Sequence, residues 1–178
     1  MGRHSKKLNI LDAAAKVVSE KGIFNLTLEA VAKEAGISKG GLLYHYASKE
    51  KLVEDMVTHL AENYLEKIDN SVAEDQKDNG KWARAFLDVT LNKSYANKDM
   101  NAGLMAAKAI NPELMKPIQD AYVYWQEKLE NDGIDPIKAT IVRLAADGIW
   151  LSQLFDFNQL DEETLDQVHK QLNSFIER

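Results

Sequence analysis

The chain has 178 residues and a formal charge of −6, from 22 Lys and Arg against 28 Asp and Glu. Hydrophobic residues make up 45% of the chain, which is typical of a globular domain and excludes a disordered chain. The absence of cysteine excludes a disulfide scaffold, thiolate metal sites and a cysteine nucleophile. No apolar run is long enough to predict a membrane span or a signal peptide, so a cytoplasmic protein without membrane partners is expected.

The first third of the chain predicts one long helix, two short ones and the start of another. Only 3 Pro and 9 Gly interrupt a sequence rich in helix formers, which favours an all-α fold of about nine helices. The first helix is expected from about Ser5 to Lys21, where Gly22 follows. Thr27 is expected to cap the first short helix and Ser48 the long one, and the second short helix is expected to start at Ser38.

The remaining helices are predicted from turn signals. Asn70–Gly80 has no apolar periodicity and is predicted to be a loop. Further helices are expected near residues 81–97, 102–110, 112–131, 136–156 and 161–177. Pro112 and Pro136 fit the first turn of the helices that they begin, and Pro117 is expected to bend its helix.

Charge is distributed unevenly along the chain. Residues 1–51 hold 9 Lys and Arg against 5 Asp and Glu, a net charge of +4, whereas the rest has a net charge of −10. A basic head on an acidic body indicates that a polyanion binds at one end only. We therefore expect two parts, residues 1–50 and residues 51–178, with the polyanion bound by the first.

The span Thr27–Lys51, TLEAVAKEAGISKGGLLYHYASKEK, has the spacing of a helix-turn-helix. The small Ala32 allows two helices to cross closely, and Gly36 can adopt the left-handed conformation that ends the first of them. The expected buried contacts are Val31, Ile37 and Leu42. Any tight helix pair with a glycine turn shares this spacing, so the spacing alone leaves both interpretations open.

The residues after Gly36 suit a recognition helix that enters the major groove. Gly40 and Gly41 would allow the backbone to approach the duplex closely. Two glycines cost a short helix about 1–2 kcal/mol, which a purely structural helix has little reason to accept. The polar residues available to phosphates or bases are Ser38, Lys39, Tyr44, His45 and Lys49, and the Thr27 hydroxyl can also reach a phosphate.

The segment SKGGLLYHYASKE, residues 38–50, resembles the DNA-binding signature of the TetR family (TetR/AcrR type) of bacterial transcriptional regulators. The clear resemblance covers residues 6–60. It implies a three-helix DNA-binding domain in residues 1–50, a helical effector-binding and dimerisation domain in residues 51–178, no enzymatic activity and no cofactor. The residues that match the family's DNA-contacting positions are Thr27, Ser38, Lys39, Gly40, Tyr44, His45 and Lys49. Gly41 and Leu43 depart from the family's usual residues and are kept as candidate DNA contacts.

Several of these residues also have a simpler interpretation. Tyr46 is expected in the core, because the family usually has a buried aromatic residue there. Lys51 is either a solvated lysine or a phosphate contact. No metal site is expected at His45, since no other histidine lies three or four residues away.

A symmetric DNA site requires a two-fold protein, so a homodimer on an inverted-repeat operator is expected. The segment 137–155 is apolar on more than one side, which indicates burial against both its own subunit and a partner. The expected interface residues are Ile141, Leu151, Phe155, Leu165, Val168 and Leu172.

The resemblance also implies an effector, which is an unknown small molecule. The candidate lining residues are Trp82, Phe86, Tyr95, Met100, Met105, Tyr122, Trp125, Asp147, Trp150 and Phe155, although such residues are also ordinary core residues. Asp147 is a carboxylate on an otherwise apolar helix. It either pairs with Arg143 one turn away or faces a cavity and selects a cationic or hydroxylated ligand.

The sequence therefore predicts a homodimeric transcriptional regulator, a repressor that its effector releases from the operator. The alternative is a DNA-binding protein that a protein partner controls, or an architectural one, without a small ligand. An enzyme is not expected, because the sequence has no nucleophile–base pair, Walker-type phosphate loop or metal-ligand spacing.

Overall fold

A computed structural model describes residues 3–92, 98–157 and 159–177, with side chains from residue 6 onward except at 98–100 and 102. All regular secondary structure in these ranges is helical, which confirms the predicted all-α class. The α-helices of the described residues are α1 (Arg3–Lys21), α2 (Leu28–Glu34), α3 (Lys39–His45), α4 (Lys49–Glu74), α5 (Lys81–Leu91), α6 (Lys98–Ile110), α7 (Lys116–Glu130), α8 (Pro136–Leu154) and α9 (Glu162–Glu177). Short 3-10 helices lie at Ile23–Asn25 and Pro112–Met115. None of the described helices is long and apolar enough to cross a membrane.

The two predicted hydroxyl caps, at Thr27 and Ser48, are confirmed, and Ser38 caps α3 in the same way. The Thr27 hydroxyl oxygen accepts a hydrogen bond from the amide of Ala30 at 3.1 Å, and that of Ser38 accepts one from Gly41 at 3.1 Å. The Ser48 hydroxyl accepts one from the third residue of α4 at 3.2 Å. These bonds satisfy amide groups that the first turn of each helix leaves unpaired.

Several predicted boundaries are wrong. Residues 70–74 of the predicted loop belong to α4, because neither glycine nor proline interrupts the chain before Gly80. The helix predicted from about residue 102 begins earlier, because α6 starts at Lys98. A 3-10 helix takes up residues 112–115, so that Pro117 lies in the first turn of α7, where its missing N–H costs no hydrogen bond.

The first of two packed units comprises residues 1–62 and 97–120. Within it α1 packs against α2 and α6, and α2 packs against α3. Val31 and Leu42 are fully buried as predicted, whereas Ile37 is half-buried. Tyr46 is also fully buried, which confirms its predicted place in the core.

The second unit comprises residues 63–96 and 121–178. Its helices α5, α8 and α9 pack against one another. The buried side chains of this unit include Phe86, Leu87, Trp125, Leu129 and Val142. The expected division of function at residue 50 stays a prediction, because packing does not by itself assign a role to either unit.

The start of α5 is held by a buried carboxylate. Asp132 accepts hydrogen bonds from the amides of Trp82 at 3.1 Å and Ala83 at 2.8 Å. Burial raises the pKa of Asp132, while the two amides and the charge of Arg84 oppose that rise. The amide of Gly80 donates to the Asp132 carbonyl at 2.7 Å, so the segment before α8 fixes the beginning of α5.

Substitution of Gly80 by alanine is expected to destabilise the protein by about 3 kcal/mol. Gly80 has a left-handed φ of +76°, and an added Cβ would overlap Ile176 Cγ2 and lie 2.9 Å from Arg84 Nη1. The matched control is Gly36→Ala, with φ of +67° but open space around the added Cβ, expected to cost about 1 kcal/mol. Chemical denaturation measures both losses, and equal losses would contradict close packing at Gly80.

Candidate functional site

The α2 and α3 helices form a helix-turn-helix whose turn is fixed by backbone geometry. Gly36 has a φ of +67°, and the next amide, that of Ile37, donates to the Ala32 carbonyl at 3.0 Å. Leu42 and Tyr46 anchor the end of α3 in the core of the first unit, because neither is accessible to solvent. The opposite face of α3 is therefore turned outward.

That outward face carries the predicted DNA-contacting side chains. Tyr44 is 75% exposed, and Leu43 and Lys39 are also exposed. A Cβ at Gly40 would meet no atom within 4 Å, so this position is open to a close approach. At Gly41 a Cβ would lie 3.2 Å from Ser38 Oγ, and the glycine therefore also protects the cap of α3.

The other predicted contacts lie at the ends of the same motif. The Tyr44 and His45 rings meet edge to face, with centroids 5.2 Å apart and planes at 85°. Thr27 is exposed at the start of α2, and Lys49 is half-buried at the start of α4. All nine candidates thus belong to one local motif, while their contact with DNA stays a prediction.

Several lysines of the first unit form ion pairs with acidic side chains. Lys39 pairs with Glu29, which is not among the predicted site residues, and the hydrogen bond from Lys39 holds the pKa of the Glu29 carboxyl below its usual value. Lys51 Nζ lies 2.8 Å from Glu54 and 3.6 Å from Asp55, and both interpretations of Lys51 stay open. The sequence feature that could have drawn attention to Glu29 is its negative charge within a segment of net positive charge.

Three of the ten candidate effector-lining residues meet in an aromatic cluster of the second unit. The Trp125 ring centroid lies 5.1 Å from that of Tyr122 and 5.6 Å from that of Phe86. Tyr64 of α4 joins them, with its ring centroid 6.5 Å from that of Trp125. We call Tyr64, Phe86, Tyr122 and Trp125 the aromatic cluster.

Asp147 connects this cluster to a polar network. Its carboxylate pairs with Arg143 at 3.0 Å, as the first of the two alternatives expected, and also accepts a hydrogen bond from the Tyr122 hydroxyl at 2.8 Å. Arg143 Nε donates in turn to Gln126 Oε1 at 2.8 Å. Burial raises the pKa of Asp147, against the opposing influence of Tyr122 and Arg143.

The remaining effector candidates are found elsewhere. Trp82 contacts Tyr124, with ring centroids 6.0 Å apart, and Met105 is exposed in the first unit. Trp150 is half-buried, and its indole N–H has no hydrogen-bond partner in the described part of the chain. Tyr95 and the side chain of Met100 lie outside the described residues. The exposed Phe155 stacks on Phe157, with centroids 5.4 Å apart.

One face of α8 presents apolar side chains to solvent in this single chain. Its exposed members, each between 41% and 69% accessible, are Ile137, Ile141, Leu144, Leu151 and Phe155. Gly148 lies between Leu144 and Leu151 in the same row, is exposed, and leaves open space where a Cβ would project. We call this row the α8 stripe. The predicted interface residues of α9, Leu165, Val168 and Leu172, are half-buried.

Two family models match separate parts of the chain. Residues 10–56 match the model for bacterial regulatory proteins of the tetR family. Residues 80–177, more than half of the chain, match the model for the tetracyclin repressor-like C-terminal domain. The chain belongs to the TetR family. The resemblance found in the residues of α3 is thereby confirmed, and this TetR-family chain is a DNA-binding transcriptional regulator by its family.

Similarity to known relatives extends across most of the chain. The repressor KstR2 of Rhodococcus jostii is 29% identical over 105 residues, which are 59% of this chain and only about half, 49%, of that protein. The regulator LmrA of Bacillus subtilis is 28% identical over 153 residues, covering 78% of this chain and 81% of LmrA. A solved structure, that of multidrug binding protein EbrR complexed with ethidium, is 25% identical and has a TM-score of 0.63, covering 96% of this chain and 99% of that chain.

Proposed function

We propose that this TetR-family chain is a homodimeric repressor that binds an inverted-repeat operator through α3 and is released by a small-molecule effector. The observation that carries DNA recognition is the outward face of α3, where Lys39 and Tyr44 project from a helix anchored by buried Leu42 and Tyr46. Side chains on such a face reach base edges and phosphates in the major groove. The similarity to KstR2, which is named a repressor, supports the direction of regulation.

Selection of genomic fragments by the purified protein tests this proposal. We expect enrichment of an inverted repeat with half-site centres about one or two helical turns apart, since two copies of α3 read successive major grooves on one side of the duplex. The selection is repeated with protein that has been denatured and refolded, to remove any bound effector. Absence of an enriched repeat from both preparations would overturn the proposal.

The α8 stripe supports the homodimer. Five large apolar side chains in one row are exposed to water. A partner that covers them gains about 25 cal/mol of free energy for each Å² of apolar surface that it buries. Gly148 in the middle of the row would allow two α8 helices to approach closely. We infer that a second copy of the chain covers the stripe through a two-fold axis, with Leu165, Val168 and Leu172 of α9 beside it.

The aromatic cluster and Asp147 support an effector site in the second unit. The Trp125 indole N–H is buried and has no hydrogen-bond partner among the described residues, which costs about 1–3 kcal/mol and favours a ligand that supplies an acceptor. The Asp147 carboxylate lies beside the aromatic rings, so a ligand with a positive charge and a flat ring would bind there by taking the place of Arg143 as the partner of Asp147. The solved complexes of EbrR with ethidium and malachite green support this class of ligand.

Asp147→Asn is expected to weaken binding of ethidium, used as a probe, by about tenfold, because the variant removes a charge-assisted interaction. Fluorescence titration of the purified protein measures the affinity. The matched control is Asp88→Asn, since Asp88 is an exposed carboxylate of the same unit that pairs with His169. Equal affinities of the two variants would contradict a role for Asp147. Binding of operator DNA without any response to small ligands would favour the partner-controlled alternative.

A further inference from the structure

An ion pair joins the first turn of α2 to the first residue of α3 in the helix-turn-helix. Glu29 lies in the first turn of α2, and its carboxylate binds the ammonium group of Lys39, the first residue of α3. Both side chains remain largely exposed, at 61% for Glu29 and 58% for Lys39. The pair therefore presents a hydrogen-bond acceptor and a hydrogen-bond donor side by side at the surface.

The surroundings of Glu29 distinguish it from the other acidic residue of α2. Glu34 is held against α1, where its carboxylate lies 2.7 Å from Lys16 Nζ and 3.7 Å from Lys21 Nζ. Glu29 instead faces α3. A carboxylate close to bound DNA repels the phosphates of every sequence and so weakens non-specific binding. It favours the operator only if a base of the operator donates a hydrogen bond to it.

The major groove offers such a donor at one kind of base pair. The edge of a G·C pair presents the guanine N7 and O6 acceptors next to the cytosine N4 amino group. Lysine donates to the guanine acceptors, and glutamate accepts from cytosine N4. A lysine and a glutamate already in contact match this neighbouring acceptor and donor without having to separate.

We propose that Glu29 and Lys39 together read one G·C base pair in each operator half-site, with Lys39 donating to guanine and Glu29 accepting from cytosine. The inference rests on the proposed DNA-binding function of α3. It makes Glu29 a determinant of specificity that raises affinity for the operator and lowers affinity for all other DNA. Lys39 without Glu29 would bind guanine and phosphate with less discrimination.

Glu29→Gln tests this inference on the repeat selected by the wild-type protein. We expect about tenfold weaker binding of the operator, about twofold to threefold tighter binding of a scrambled duplex, and lost discrimination at one G·C position per half-site. Fluorescence anisotropy against operators substituted at each position measures all three. The matched control is Glu34→Gln, which changes the charge of the same helix equally and is expected to keep the base preference.

Three results would overturn the inference. Glu29→Gln would bind operator and scrambled DNA more tightly by the same factor if Glu29 only repels phosphate. It would leave both affinities unchanged if the pair were a surface salt bridge of no consequence. It would retain the preference at every position if another residue read the base. In all three cases the wild-type protein still binds its repeat, whereas failure of the proposed function would leave the wild type without an operator.

Discussion

Replacing Tyr44 by alanine is expected to weaken operator binding by at least about 30-fold, because each of the two copies of α3 loses a contact worth about 1–3 kcal/mol. The free energy of unfolding is expected to stay nearly unchanged, since the Tyr44 ring is 75% exposed and contacts the His45 ring only by its edge. Anisotropy titration of the selected repeat measures the first quantity, and chemical denaturation measures the second.

The control for Tyr44 is another aromatic residue of the first unit. Phe24, in the 3-10 helix between α1 and α2, is 95% exposed and does not belong to the predicted DNA contacts. Phe24→Ala is expected to keep operator affinity within about twofold, as surface substitutions away from a binding site usually do. If the two variants lost affinity equally, recognition would not depend on the outward face of α3.

Leu144→Glu is expected to have the second large effect, conversion of the homodimer into monomers. Leu144 lies in the middle of the α8 stripe, next to Gly148, and a carboxylate there would have to be buried in the interface without a partner. Such burial costs several kcal/mol, which corresponds to a dimer dissociation constant raised by at least about 100-fold. Sedimentation velocity at micromolar concentration measures the dissociation, and operator binding is expected to be lost with it.

Val123→Glu is the matched control for the dimer prediction. Val123 is an apolar residue of α7, 69% exposed, and it lies outside the α8 stripe. The variant adds the same charge to the same unit and is expected to remain dimeric. A Leu144→Glu protein that sediments like the wild type would contradict the assignment of the α8 stripe to the dimer interface.

The helix-turn-helix could be predicted because its determinants are local. Thr27 and Ser38 are cap residues that bond to amides three positions away, and Gly36 supplies a backbone conformation that few other residues adopt. Leu42 and Tyr46 are one turn apart on the buried face, and Tyr44 lies between them on the other face. A short stretch of sequence contains all of this information.

The effector candidates could not be grouped from the sequence, because their contacts join distant helices. The Tyr122 hydroxyl meets Asp147, 25 positions further along the chain, and Trp82 meets Tyr124 rather than the aromatic cluster. Helical periodicity shows which side of a helix is apolar, but it does not identify the helix that covers it. The pairing of Glu29 with Lys39 also depends on a crossing angle between helices that periodicity leaves open.

The most direct test of the central claim is an anisotropy titration of the selected inverted repeat and of a scrambled duplex over a range of salt concentrations. The account predicts two chains per repeat and clear preference for the repeat. It also predicts a log–log salt slope of about −4 to −5, from roughly four to six cationic phosphate contacts per dimer. Equal affinity for the two duplexes, with a slope near zero, would contradict recognition of DNA by α3.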